Sequence, residues 1–115
     1  MYFCAAEKKS EMKRPKVVEQ IRDLLSHIAP SATKILYGSE ARGDARADSD
    51  IDILILLDED DLSIEREQSI TTPLYKLELE SGVTISPIVM LKKNWDNRPF
   101  NTPFYLNVIN EGIIL

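Results

Sequence analysis

The sequence predicts an α/β fold in which a small mixed β-sheet is flanked by helices. Apolar residues recur every three or four positions after Pro15, residues 51–57 form an almost continuous apolar run, and helix-like and strand-like segments alternate in the rest of the chain. Because 115 residues suffice for one hydrophobic core, we expect residues 1–115 to form a single domain. Residues 1–14 are expected to be a loose, charged N-terminal segment.

The first predicted helix begins at Pro15 and ends before Pro30, because proline suits the first turn of a helix but cannot continue one. A short strand is predicted at residues 34–37, where Gly38 stops it. The next four residues, 39–42, are long enough for a single helical turn.

The apolar run at residues 51–57 predicts a strand buried on both faces, as in sheets covered by helices on either side. Ser63 then offers an N-cap for a helix that ends at Gly82. Pro73 lies within this helix and is expected to kink or divide it.

A third strand is predicted at residues 83–91, and Pro87 within it favours an edge position or a bulge. Pro103 begins the last helix, Gly112 closes it, and residues 113–115 are expected to tail away. Aromatic side chains in this region are more typical of a core than of a base-stacking platform: Trp95, Phe100, Phe104 and Tyr105.

Composition disfavours several classes of function. The formal net charge of −5 argues against an extended nucleic-acid surface, which needs a basic stripe to neutralise phosphates. The one cysteine, Cys4, cannot form an internal disulfide, and no apolar run reaches the length of a membrane span. We therefore expect a cytoplasmic protein without membrane contact.

The first chemically informative feature is Gly38-Ser39, at the junction of a predicted strand and a helical turn. Glycine permits close approach of another group to the backbone, and serine supplies a hydroxyl. The free N–H groups at the start of the turn attract an anion. This arrangement can hold a triphosphate, although Ser39 is also a reasonable N-cap residue, and the two roles are compatible.

The second feature is Asp50-Ile51-Asp52 at the start of the buried strand. Alternate residues of a strand share a face, so the two carboxylates are expected to converge and repel each other. A divalent cation relieves that repulsion, and Mg²⁺ commonly binds one or two protein carboxylates together with water and phosphate oxygens. The two features together predict a site for a metal-bound triphosphate.

Gly-Ser, ten residues and Asp-x-Asp form a motif that resembles the signature of the DNA polymerase β-like nucleotidyltransferase superfamily. Residues 37–57, which include Gly-Ser-Glu-Ala-Arg-Gly-Asp-Ala-Arg and Asp-Ser-Asp-Ile-Asp, are most similar to its minimal nucleotidyltransferases. The resemblance implies a nucleotidyltransferase-like fold. It also implies transfer of a nucleoside monophosphate, AMP from ATP, to an acceptor hydroxyl with release of pyrophosphate.

The same resemblance implies roles for individual residues. Asp50 and Asp52 would be the catalytic residues and the Mg²⁺ ligands, and Gly38 and Ser39 would contact the triphosphate. Arg42 is a further candidate for phosphate contact. Its alternative is a surface ion pair with one of two nearby acids, Asp44 or Asp48.

One position departs from the family pattern. Active relatives carry a third acidic residue on a later strand, where this chain has Ser86. A serine does not replace a carboxylate as base or metal ligand at neutral pH. Glu78 and Glu80, on the preceding predicted helix, are alternative acids without a geometric argument for either.

Two functions remain open from the sequence, besides a third option, a structural subunit that has kept the fold alone. The first is a Mg²⁺-dependent nucleotidyltransferase whose acceptor lies on a partner protein, because the chain has little room for a domain that would hold a small acceptor. The second is a catalytically weak nucleotide-binding module, such as the antitoxin of a toxin–antitoxin pair. The resemblance implies that its partner would be a small helical protein of the HEPN type.

Overall fold

A computed structural model describes residues 12–115 of the chain. The helices are α1 (Pro15–Ile28), α2 (Ser39–Arg42), α3 (Ile64–Ser81), α4 (Lys92–Asp96) and α5 (Pro103–Glu111). The strands are β1 (Thr33–Tyr37), β2 (Ile51–Leu57), β3 (Ile85–Leu91) and β4 (Ile113–Ile114). Within the described range, no helix is both long and apolar enough to cross a membrane.

The strands form one mixed sheet in the order β3-β2-β1-β4. Strand β2 runs antiparallel to β1 and parallel to β3, while β4 pairs antiparallel with β1. This arrangement confirms the predicted α/β fold with a small mixed sheet. It also places β3, which contains Pro87, at an edge, where the missing N–H of proline is tolerated.

Helices cover both faces of the sheet, and β2 supplies side chains to each layer. One core joins α1 and α3 to the strand residues Leu36, Ile51, Ile53, Ile55 and Leu57, and the other joins α4 and α5 to Ile35, Leu54 and Leu56. The alternation explains why β2 is almost continuously apolar. It also assigns Asp50 and Asp52, in the same alternation as Leu54 and Leu56, to the α4–α5 face.

Of the two expectations for Pro73, a kink or a division of the helix, division is wrong, because α3 is continuous from Ile64 to Ser81. Proline removes one backbone hydrogen bond. Buried side chains on both sides of it, Ile70 before and Leu74 after, pack against the same core and stabilise the helix across the proline. Ser63 caps the helix as predicted, accepting the Arg66 N–H at 3.0 Å.

The C-terminal segment also differs from expectation. Residues 113–114 form β4 on the free edge of β1, with Ile113 buried opposite Leu36, rather than tailing away. Gly112 has an extended backbone, with φ −68° and ψ 152°, which leads the chain directly from α5 into this strand. Helix α4 was not predicted, and β3 begins at Ile85 rather than at residue 83.

The segment just before α1 is held against the functional part of the fold. Glu40, 0% exposed, accepts the N–H groups of Lys13 and Arg14 at 2.7 Å each and pairs with the Arg14 Nε at 2.8 Å. A buried carboxylate requires such partners. The expectation of a loose segment is therefore wrong for residues 12–14, while its remainder and Cys4 lie outside the described residues.

Candidate functional site

Asp50 and Asp52 lie at the start of β2 on the α4–α5 face of the sheet. Asp52 is half-buried between its register partners on the two neighbouring strands, Tyr37 on β1 and Ser86 on β3. Asp50 lies two residues earlier in the chain and is exposed. The structure therefore brings the two carboxylates to one face, as their spacing predicts.

The surroundings of Asp52 disfavour the negatively charged form of its carboxyl. Burial raises the pKa of its carboxyl, and the charges of Asp50 and Glu111 raise it further, while Arg42 lowers it. Within residues 12–115, no group donates a hydrogen bond to the Asp52 carboxylate. A half-buried carboxylate next to a second one is a suitable ligand for a cation.

Gly38 brings the backbone into direct contact with Asp52. Its φ of 77° and ψ of −158° lie in a region that only glycine adopts readily. A Cβ atom on Gly38 would overlap with the Oδ2 atom of Asp52. The glycine is thus needed both for the turn and for the proximity of Asp52 to the start of α2.

The turn after Gly38 is closed by the Ser39 carbonyl. It accepts the N–H groups of Gly43 at 3.0 Å and Asp44 at 3.1 Å, and Gly43 has the left-handed conformation that ends α2. The alternative of Ser39 as N-cap is wrong, because Gly38 occupies the N-cap position and α2 has no side-chain cap. Among residues 12–115, the Ser39 hydroxyl makes no helix-capping hydrogen bond.

Arg42 and Gly38 share one acceptor that the sequence did not reveal. The Oε1 atom of Glu111, at the end of α5, accepts the Gly38 N–H and the Arg42 Nη1 at 3.0 Å each. Arg42 also donates through Nε to Asp44 at 3.2 Å, so Asp44, not Asp48, is its partner of the two acids considered. The hydrogen bonds that Arg42 donates to Asp44 and Glu111 raise its pKa.

The position of Glu111 follows from β4, a strand that was not predicted from the sequence. Leu36 pairs with Ile113 in an antiparallel register. Continuing that register by two residues sets Glu111 opposite Gly38. The three C-terminal apolar residues after Gly112 were the one available signal, because a short apolar segment after a helix can complete a sheet edge.

Ser86 lies at the position where relatives were expected to carry a third acid. It is the β3 register partner of Asp52, and its hydroxyl donates to Asp50 Oδ2 at 2.9 Å. Of the alternative acids, Glu78 instead accepts the Ile85 N–H at 2.9 Å. In the part of the chain that the structure describes, no cluster of three or more His, Cys, Asp or Glu side chains could hold a metal ion.

A cavity of about 510 Å³ between α1 and α3 lies on the other face of the sheet. Its lining includes Glu80 and His27. Glu80 therefore does not reach the carboxylate pair.

Aromatic side chains support the floor of the site, as the core interpretation predicts. Phe104 packs edge-on against Tyr37, with ring centroids 5.5 Å apart, and Trp95 is buried behind it. Burial and the charge of Asp52 raise the pKa of Tyr37 to about 12, so its hydroxyl stays neutral. Phe100 is the exception, because it is 67% exposed.

The arrangement combines a cation-seeking carboxylate pair with groups that bind anions. Asp50 and Asp52 supply negative charge, and the Gly38 N–H, the Ser39 hydroxyl and the Arg42 guanidinium lie on adjoining elements. Such a set suits a ligand that is itself a complex of a divalent cation and phosphate groups.

Comparison with known proteins gives a consistent result. A family model described as a nucleotidyltransferase domain matches residues 18–107. Two proteins of Methanocaldococcus jannaschii, named as candidate protein adenylyltransferases, are similar in sequence. One is 44% identical over 81 residues, which cover 70% of this chain and 74% of the relative. The other is 35% identical over 79 residues, which cover 69% of this chain and 73% of the relative.

Gly38→Ala is expected to destabilise the protein by about 1–3 kcal/mol, because alanine strains this backbone region and its Cβ meets Asp52. Gly82→Ala is the matched control, since Gly82 also has a positive φ of 74° but a Cβ added there would meet nothing within 4 Å. Urea unfolding of both variants measures the difference. An equal loss of stability in the two variants would show that contact with Asp52 is unimportant.

In EDTA at neutral pH, the Asp52→Asn variant is expected to be at least as stable as the wild type. Folding raises the Asp52 pKa above its ordinary 3.8, so the native state favours the protonated carboxyl. The free energy of unfolding of the wild type therefore falls relative to that of the variant as pH rises from about 4 through the pKa of Asp52 in the folded protein. Above that pKa the difference between the two proteins stays at its full size. Thermal unfolding across this range measures the effect.

The control for this comparison is Asp61→Asn, which removes an exposed charge after the other end of β2. At neutral pH this variant should leave the melting temperature nearly unchanged. If Asp52→Asn instead lowered the melting temperature at neutral pH by several degrees, Asp52 would have a structural role that its surroundings do not indicate.

Proposed function

This chain belongs to the nucleotidyltransferase domain family, and on that basis we propose that its site binds a Mg²⁺-complexed nucleoside triphosphate. Asp50 and Asp52 hold the cation in this proposal, and Gly38, Ser39 and Arg42 contact the phosphates. The bound nucleotide then donates its nucleoside monophosphate to an acceptor hydroxyl.

The observation that carries this proposal is the environment of Asp52. Its carboxylate is half-buried, has no hydrogen-bond donor among residues 12–115, and faces the charge of Asp50. Folding tolerates such a cost where function requires it. When bound, Mg²⁺ neutralises charge on the carboxylates and on the triphosphate.

The reaction requires little covalent chemistry from the protein. The acceptor oxygen attacks the α-phosphorus and its hydroxyl proton passes to solvent, while the bond from the α-phosphorus to the oxygen bridging it to the β-phosphate breaks and pyrophosphate leaves. The residues of this chain orient the triphosphate so that the attacking and leaving oxygens are in line. Arg42 stabilises negative charge on the phosphates in this proposal, because its guanidinium is half-exposed beside Gly38.

We propose AMP as the transferred group and a protein hydroxyl as the acceptor. The names of the two Methanocaldococcus jannaschii relatives support this choice, because both describe protein adenylyltransferases. A second protein would then supply the acceptor. A small helical protein of the HEPN type is the partner that the family resemblance suggests for this role.

The position of Ser86 favours a second function, a nucleotide-binding module with weak transfer activity. The serine hydroxyl donates to Asp50 and so orients it, but a hydroxyl does not accept the proton of an attacking acceptor at neutral pH. In this alternative the bound nucleotide regulates association with the partner, as in the antitoxin of a toxin–antitoxin pair.

Binding of the triphosphate is expected to need both Mg²⁺ and the two aspartates. Titration calorimetry of the wild type with ATP, GTP, CTP and UTP should show binding that EDTA abolishes. Asp50→Asn and Asp52→Asn should each weaken Mg²⁺-dependent binding by roughly tenfold or more, since each removes a ligand charge.

Asp61→Asn again serves as the control and should bind like the wild type. Absence of binding to all four nucleotides by a folded wild-type sample would refute the proposed site. Equal affinity of the wild type and both aspartate variants would place the nucleotide elsewhere on the protein.

The isolated chain is expected to transfer AMP slowly, because Ser86 leaves the acceptor hydroxyl without a base. Ser86→Asp would place a carboxylate next to Asp50 and should raise the transfer rate by roughly 10²-fold, the lower end of what general base catalysis contributes. Labelled ATP, with and without a partner protein, measures transfer to protein. Ser86→Ala is the control, because it removes the hydrogen bond to Asp50 without adding a carboxylate, and it should not raise the rate.

Fast transfer by the unmodified chain alone would contradict the expectation, and another residue would then have to act as the base. Fast transfer only when a partner is present would favour the transferase over the binding module. Nucleotide-dependent association without any transfer would favour the binding module.

A further inference from the structure

We propose that Glu111 competes with the triphosphate for the Gly38 N–H and the Arg42 guanidinium, and thereby lowers the affinity of the site for nucleotide. This inference rests on the proposed function, since it concerns the phosphate contacts of the same site. Glu111 lies beyond residues 18–107, which match the nucleotidyltransferase domain.

The geometry makes Glu111 a phosphate-like acceptor within the site. A single oxygen, Oε1, accepts from both Gly38 and Arg42 at 3.0 Å. The Glu111 side chain is 19% exposed, so it occupies the site rather than extending into solvent. A carboxylate oxygen that accepts from a backbone N–H and a guanidinium makes the contacts that a phosphate oxygen would make.

The Gly38 N–H makes the competition direct. A backbone amide has one hydrogen to donate, and Glu111 accepts it. A phosphate oxygen that takes this hydrogen must displace the carboxylate. Arg42 has additional N–H groups, so it can keep Asp44 as a partner while one side of its guanidinium turns to a phosphate.

The negative charge of Glu111 also lowers the affinity of the site for a triphosphate. Glu111 adds a third carboxylate to a region that already contains Asp50 and Asp52, and its charge contributes to the raised pKa of Asp52. A triphosphate bound beside Glu111 would meet a like charge at short range. Swinging the glutamate side chain into solvent removes that repulsion.

The backbone of Glu111 can remain in place during this exchange. It is the last residue of α5, and the following Gly112 N–H donates to Val108 at 2.8 Å. Strand β4 then pairs with β1 immediately afterwards. Only rotation of the Glu111 side chain is therefore needed, which is fast relative to backbone rearrangement.

An alternative role predicts the opposite effect. If Glu111 served only to hold Arg42 in position for the phosphates, loss of its charge would weaken nucleotide binding. If Glu111 competes, loss of its charge strengthens binding. The sign of the change in affinity therefore separates the two roles.

The experiment is titration calorimetry with Mg²⁺ and α,β-methylene ATP, which resists cleavage between the α- and β-phosphates, and in parallel with inorganic tripolyphosphate. Glu111→Gln keeps the size of the side chain but removes its charge, so the hydrogen bond from Gly38 becomes a neutral one and the bond from Arg42 is no longer an ion pair. We expect about fivefold tighter binding of both ligands. The gain should be similar for the two ligands, because the competition concerns phosphate and not the nucleoside.

Glu65→Gln is the matched control. It removes the same charge from an exposed position in the first turn of α3, after the opposite end of β2. It should change the affinity by less than about twofold. Tighter binding in both variants alike would attribute the effect to net charge and overturn the proposal.

The outcomes also separate this inference from the proposed function. Equal or weaker binding by Glu111→Gln, with measurable binding by the wild type, overturns the role of Glu111 and leaves the site intact. Absence of binding by both proteins refutes the proposed function and this inference with it. Binding by the variant alone supports both.

A second measurement uses the unmodified protein, in case Glu111→Gln does not fold. On addition of Mg²⁺ and the ATP analogue, the NMR signals of the Gly38 amide and the Glu111 side-chain carboxyl should shift together, the latter toward the position of a solvated glutamate. A Glu111 carboxyl signal that stays unchanged at saturation would overturn the proposal.

Discussion

Burial of β2 between two helical layers is the constraint on which the rest of the structure depends. Its apolar side chains alternate between the α1–α3 core and the α4–α5 core. A shift of its register by one residue would turn every side chain to the opposite face, so the register is fixed. The same alternation directs Asp50 and Asp52 to the α4–α5 face. The strand that secures the fold therefore also sets the orientation of the two carboxylates.

A second set of contacts fixes the turn that faces these carboxylates. Glu40 is fully buried in α2 and pairs with Arg14, whose Nη1 also donates to the Ser49 carbonyl at 2.6 Å. This pair connects the segment before α1, the turn after Gly38 and the loop that ends at Asp50. Because unpaired buried charges are costly, the three segments are held together as one unit.

The charges around Asp52 do not balance one another. In the described contacts, Arg42 is the cation that interacts with the three carboxylates of Asp44, Asp52 and Glu111. It lowers the pKa of Asp52 without donating a hydrogen bond to it. Negative charge thus exceeds positive charge around Asp52. A divalent cation would offset most of this excess and make the neighbouring N–H groups more favourable for phosphate.

Local sequence determined much of this protein. Proline, glycine and the spacing of apolar residues constrain the backbone within a few residues of themselves. They determine the ends of α1, the extent of β2, the turn at Ser39–Arg42 and the face shared by Asp50 and Asp52. The tertiary structure decided that α3 continues through Pro73, that β4 joins the sheet, and that Glu111 reaches Gly38. These features depend on contacts between segments far apart in the chain, whose energies no local pattern contains.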